Sequence, residues 1–154
     1  MKIAIGADHN GYDLKEIVKK ALLETGHEVQ DLGTNSKDAV DYPDIAAAVG
    51  RTVAEGKADC GVLICGSGLG MAIAANKIPG VRAVQVTDHY SAKVARRDND
   101  ANVITFGARI LAAPLALDLL QTFFETPFEG GRHARRISKI RRLESAREEK
   151  PPAD

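Results

Sequence analysis

Two thiols, Cys60 and Cys65, bracket the apolar run Gly61-Val62-Leu63-Ile64, and the second opens a glycine loop, Gly66-Ser67-Gly68-Leu69-Gly70, that runs into a helical pattern over 69–77. A helix starting there offers unpaired backbone N–H groups and the positive end of its dipole, which hold an anion and favour a thiolate at Cys65. One thiol and one anion pocket therefore share a turn. The loop lacks the Gly-Lys-Ser/Thr ending of a nucleotide P-loop, and Met71 stands where a dinucleotide fingerprint needs its third glycine. It also follows the third predicted strand rather than the first. A small phosphate or an enediolate oxygen suits it better, with a plain tight turn at Gly66, Gly68 and Gly70 as the competing reading. Cys60 reads as core. The five-residue spacing of the thiols on one strand matches neither a disulfide framework nor a Cys-x-x-Cys redox or zinc pattern, so both are expected to be free.

Other polar residues cluster at predicted element ends. Asp8-His9 follows the first apolar run and is open to two readings, a helix cap with a solvent histidine or a pair that holds substrate. Arg132 and Arg136, four apart, share a helix face as a phosphate clamp requires, and a solvated charged arm is the alternative. The basic run around them has no interleaved aromatic residues for stacking, which argues against nucleic acid.

The elements that must position these groups follow from periodicity. Apolar runs at 2–7, 28–32, 61–65, 81–86 and 102–106 alternate with helical patterns at 12–25, 44–55, 69–77, 89–97 and 114–125. Strands separated by helices of that length require right-handed crossovers. The expected fold is α/β, a Rossmann-like three-layer αβα sandwich with a five-stranded parallel sheet, followed by a C-terminal helical arm over 132–147 with Ile137, Ile140 and Leu143 on one stripe. The loops at Asp8-His9, Tyr42-Pro43, Cys65–Gly70 and Asn99–Asn102 are expected to converge beyond the carboxyl ends of the strands. A single domain over 1–147 is expected, with a disordered tail at 148–154 that carries Pro-Pro. Twenty-one basic residues balance 21 acidic ones, so the global charge favours neither nucleic acid nor an anionic membrane. The start of the chain reads as a strand rather than a signal peptide, and no apolar run approaches the roughly 20 residues of a membrane span. A cytoplasmic protein is expected.

Six motifs in order resemble the ribose-5-phosphate isomerase B and galactose-6-phosphate isomerase group of sugar-phosphate isomerases: Gly6-Ala7-Asp8-His9-Asn10-Gly11, Val40-Asp41-Tyr42-Pro43, Ile64-Cys65-Gly66-Ser67-Gly68-Leu69-Gly70-Met71 with Asn76-Lys77, Asn99-Asp100-Ala101-Asn102, Phe106-Gly107-Ala108-Arg109 and Phe128-Glu129-Gly130-Gly131-Arg132-His133. The resemblance implies aldose–ketose isomerisation through a cis-enediolate with no metal or other cofactor, with Cys65 as the base, Ser67 assisting proton movement between the oxygens and loop amides of Gly66–Gly70 stabilising the oxyanion. It further implies that Asp8 and Asn99 hold hydroxyls, that Tyr42 lines the pocket, and that His9, Arg109, Arg132 and Arg136 bind phosphate, with His133 behind them. Family members are dimers or tetramers whose site is completed by the neighbour, so a homodimer or homotetramer is expected. Members acting on ribose 5-phosphate usually carry a histidine, assigned to ring opening, where this chain has Asp98. Three explanations compete: Asp98 or His89 opens the ring instead, opening is spontaneous, or the substrate is a tetrose 4-phosphate that has no ring. Ribose 5-phosphate and ribulose 5-phosphate are the default pair, with tetrulose, allose or galactose phosphates as alternatives.

Overall fold

The computed structural model describes residues 1–148. Its five strands are β1 (Lys2–Ala7), β2 (Glu28–Asp31), β3 (Cys60–Cys65), β4 (Ala83–Gln85) and β5 (Val103–Gly107). The helices are α1 (Tyr12–Glu24), α2 (Tyr42–Ala54), α3 (Leu69–Ala75), α4 (His89–Arg97), α5 (Ala113–Glu125) and α6 (Arg132–Glu148). The sheet is wholly parallel in the order β2-β1-β3-β5-β4. This is the expected three-layer α/β sandwich.

Burial explains why these runs became strands. Every residue of β3 and β5 is buried, as a parallel strand covered on both faces requires. Side-chain alternation sends Ile3, Ile5, Cys60, Val62, Ile64, Ile104 and Phe106 to the face covered by α1, α4 and α5, and Ala4, Leu63, Cys65 and Val103 to the face covered by α2 and α3. The two thiols are therefore on opposite faces, and both are free.

Boundaries moved where local chemistry outweighed periodicity. α2 begins at Tyr42 rather than Asp44, because Pro43 occupies the first turn, where a missing N–H costs nothing. α3 stops at Ala75, and β4 keeps only three paired residues at the sheet edge. The arm α6 extends to Glu148, one residue into the stretch expected to be disordered, and residues 149–154 of that stretch lie outside those described. Its Ile137 is buried, whereas Ile140 and Leu143 are 42% and 68% exposed, so the apolar stripe is only partly covered.

One buried charge matters for the site. Lys15 on α1 is fully buried, and its ammonium donates to both carboxylate oxygens of Asp31 (2.9 and 2.8 Å) and to the Thr34 carbonyl (2.7 Å). All three of its protons are thereby satisfied. Burial alone would raise the Asp31 carboxyl, but hydrogen bonds from Lys15, Lys19 and the Gly33 N–H hold it below its ordinary value. The anchored segment after β2 leads to Tyr42.

Candidate active site

A cavity of about 470 Å³ lies beyond the carboxyl ends of β1, β3 and β5, lined by Asp8, Asn10, Tyr42, Cys65, Gly66, Ser67, Gly70 and Arg109. In a parallel sheet of this kind that rim is where ligands bind. Cys65, the last residue of β3, is 5% exposed, and Gly66 follows it into the loop. The Gly68 N–H donates to the Cys65 Sγ at 3.1 Å. Gly68 has φ of +81°, a left-handed conformation that glycine tolerates, and an added Cβ there would lie 2.9 Å from the Phe106 carbonyl carbon. Glycine is thus required twice over at this position.

Neighbouring elements hold the loop from several sides. The Ala108 N–H donates to the Cys65 carbonyl (2.8 Å) and the Arg109 N–H to the Gly66 carbonyl (3.0 Å). Ser67 Oγ accepts the Leu69 N–H at 3.3 Å. The Gly68 and Leu69 amides therefore already have acceptors, which narrows the expectation that all the amides of Gly66–Gly70 face an oxyanion. Across the cavity the Tyr42 ring leans on the first turn of α3, and a Cβ on Gly70 would sit 2.7 Å from it. That close approach is the reason for glycine at position 70.

Asp8 is buried at the end of β1, and its Oδ1 accepts the N–H groups of Asn10 (2.9 Å) and Gly11 (3.0 Å). It braces the turn before α1, whose cap is Gly11, rather than capping the helix itself. Asn10 Oδ1 accepts from Arg109 Nη2 at 2.9 Å, which holds the guanidinium at the cavity. The sequence reading gave Asn10 no role, and its place two residues after Asp8 in the same turn is the signal that could have found it. His9 Nδ1 accepts the Val40 N–H at 3.3 Å, joining the Asp8 turn to the segment before α2.

The remaining candidates are elsewhere on the subunit. Asp98 and Asn99 precede β5, so they lie at the amino rim of the sheet, opposite Cys65. The expected convergence of the Asn99–Asn102 loop with the other three thus does not occur within one chain, because α4 carries it back across the sheet. Asp98 is gripped by the Arg97 guanidinium at 2.6 and 3.1 Å, and the buried His133 Nε2 stands 3.6 Å away. The hydrogen bond from Arg97 holds the Asp98 carboxyl below the usual carboxylate range. Arg132 Nε lies 3.4 Å from His133 Nε2, and Arg136 is exposed one turn further along α6. Asp98, Glu129 and His133 bring their ligand atoms within 4.8 Å of one another. Arg97 and Arg132 share that ground, so the cluster is a charge network rather than a metal centre. Asn99 lines a separate cavity of about 510 Å³ with Arg82, Ile140 and Leu143. His89 faces Asp118 at 3.7 Å on the surface. Of the two thiols, Cys60 has its pKa pushed up to about 12 by burial, and it lines none of these cavities. Among the described residues no helix is long and apolar enough to cross a membrane.

A thiol held by a backbone donor, beside a carboxylate and an arginine at the carboxyl rim of a parallel sheet, is an arrangement for moving a proton on an anionic substrate. The family model described as Ribose/Galactose Isomerase matches residues 3–140. Ribose-5-phosphate isomerase B of Escherichia coli K12 is 44% identical over 146 residues, covering 95% of this chain and 98% of that protein. The solved structure of ribose-5-phosphate isomerase B from Clostridium thermocellum superposes with a TM-score of 0.94 at 46% identity, covering 96% of this chain and 99% of that one. D-erythrulose-4-phosphate isomerase of Pectobacterium atrosepticum is 40% identical over 141 residues, covering 91% of this chain and 93% of that protein. Fold, site and these likenesses define the chain as an aldose–ketose isomerase. It belongs to the ribose/galactose isomerase family.

Proposed function

We propose that the chain interconverts ribose 5-phosphate and ribulose 5-phosphate through a cis-enediolate, with Cys65 as the base. The observation that carries this reading is the Cys65 sulfur at the cavity wall with the Gly68 N–H directed at it. A thiolate there removes the proton on the carbon next to the aldehyde, and the resulting thiol returns it to the former carbonyl carbon, so the step is neutral overall. Ser67 assists the proton transfer between the two oxygens, and Asp8 accepts a sugar hydroxyl. Arg109 offers charge-assisted hydrogen bonds to phosphate. A cytoplasmic setting, which keeps thiols reduced, suits such a base.

Asp98, Asn99, Arg132 and Arg136 join this chemistry only if a second copy supplies them, since they occupy the opposite rim of their own subunit. A two-fold dimer does this naturally, each subunit giving its Cys65 rim to one site and its arm to the other. Exposed Leu69, Ile73 and Ile110 beside the cavity supply apolar surface for that contact. His9 adds to the phosphate site from the Asp8 turn, with His133 behind the arginines.

A second reading is favoured by the grip of Arg97 on Asp98. A carboxylate held ionised cannot give a ring oxygen its proton, whereas a tetrose 4-phosphate has its 4-hydroxyl esterified and forms no furanose. Turnover of ribose 5-phosphate and erythrose 4-phosphate by the purified protein separates the two. The first reading expects pentose turnover to dominate, and equal or better tetrose turnover replaces it with the second. In both, Cys65→Ala abolishes isomerisation while thermal stabilisation by the sugar phosphate persists. Activity surviving that change would remove Cys65 as the base.

A further inference from the structure

Thr105 stands in the middle of β5, between Ile104 and Phe106, and is fully buried. A hydroxyl in an otherwise apolar central strand needs a partner, and this one donates to the Gly68 carbonyl at 2.8 Å. Gly68 is the residue whose N–H meets the Cys65 sulfur at 3.1 Å. The two polar groups of one glycine are thus tied at one end to the sheet and at the other to the thiol. Gln85, at the end of β4, supports the same loop: its Nε2 reaches the Ser67 carbonyl at 3.4 Å. Gly107 clears room for it, since a Cβ there would lie 2.6 Å from that carbonyl oxygen.

We propose that Thr105 is a positioning residue which, by fixing the left-handed backbone of Gly68 through its carbonyl, holds the Gly68 N–H donor against the sulfur that takes the proton. The inference rests on the reading of Cys65 as the base. The Gly68 carbonyl also accepts the Ala72 N–H at 3.2 Å, which ties it to α3, so without the Thr105 hydroxyl it keeps that bond but loses its tie to the sheet, and the donor is held less firmly against the sulfur. A sulfur that loses a hydrogen bond to its charged form holds its proton more tightly. Substrate contacts are untouched, because Thr105 lines none of the cavity.

The test compares wild type, Thr105→Val and Thr105→Ser. Valine keeps the shape and removes the hydroxyl, and serine keeps the hydroxyl. Two pH profiles are measured, kcat/KM and the rate at which iodoacetamide alkylates Cys65 without substrate, with the modified peptide assigned by mass. The titratable groups facing Cys65 across the cavity are Asp8 after β1, Tyr42 on α2 and Arg109 after β5, and all three are common to the three proteins. For the valine variant both acid limbs should move up by about half to one pH unit, with kcat roughly 3- to 10-fold lower and KM little changed. Serine should restore both profiles. Valine profiles that coincide with wild type, or a fall in melting temperature and activity with neither profile displaced, overturn the proposal. Displaced alkylation with an undisplaced rate profile supports the hold of Thr105 on the sulfur and instead removes Cys65 as the base.

Discussion

The two cysteines of this chain have the same chemistry and opposite environments. Cys60 packs with Ile3, Val62 and Ile104 under α1 and α5, and burial pushes its thiol up to about 12, so it stays protonated and inert near neutral pH. Cys65 ends the same strand with a donor on its sulfur and a cavity beside it. Cys60→Ala is therefore expected to cost about 1 kcal/mol of stability and leave kcat/KM unchanged, read by denaturant unfolding and steady-state kinetics. The Cys65 contrast was legible in the sequence, because Cys60 leads into the run Val62-Leu63-Ile64 whereas Cys65 opens a loop with glycine at 66, 68 and 70. Thr105 was not: in Val-Ile-Thr-Phe-Gly it reads as one more β-branched strand residue, and only the packing of β5 against the loop reveals its partner.

At the scale of elements, the segment between β2 and α2 depends on a charge buried beneath it. Lys15 holds the Thr34 carbonyl and the Asp31 carboxylate together, and the segment goes on to place Val40 against His9 and Tyr42 over Gly70. The Asp31 carboxyl is depressed in the folded state, so the stability it confers is present above its unfolded value near 3.8 and fades as pH falls through the lower folded value. Asp31→Asn should cost on the order of 3 kcal/mol at pH 7, because Lys15 loses its main counter-charge, and the gap to wild type should close below about pH 4. Thermal midpoints across that range check both statements. The strand–helix alternation was readable because β3 and β5 are short, mainly apolar runs, with Thr105 the one hydroxyl in β5, bounded by glycine or asparagine. The start of α2 was not, because Pro43 looks like a breaker in a sequence and acts as a first-turn residue in the fold. The Asn99–Asn102 segment was misplaced for a topological reason: a loop entering a strand lies at the opposite rim from a loop leaving one.

For the whole molecule, the candidate residues fall into two groups at opposite rims of one chain. Asp8, Cys65, Ser67 and Arg109 sit at one rim, and Asp98, Asn99, Arg132 and His133 at the other. If two copies join them, Cys65→Ala and Arg132→Ala are each nearly inactive alone, yet refolding them together restores activity. Random pairing gives half heterodimers, each with one intact site, or roughly a quarter of wild-type activity. No recovery would show that a single chain works alone.

The strand parity that sends Cys60 and Cys65 to opposite faces of the sheet has a consequence under oxidative stress. A sulfenic acid formed at Cys65 finds no second thiol on its own side of the sheet to condense with, so peroxide carries it toward the irreversible sulfinic stage unless a small thiol from outside reaches it first. The enzyme has no internal means of repair.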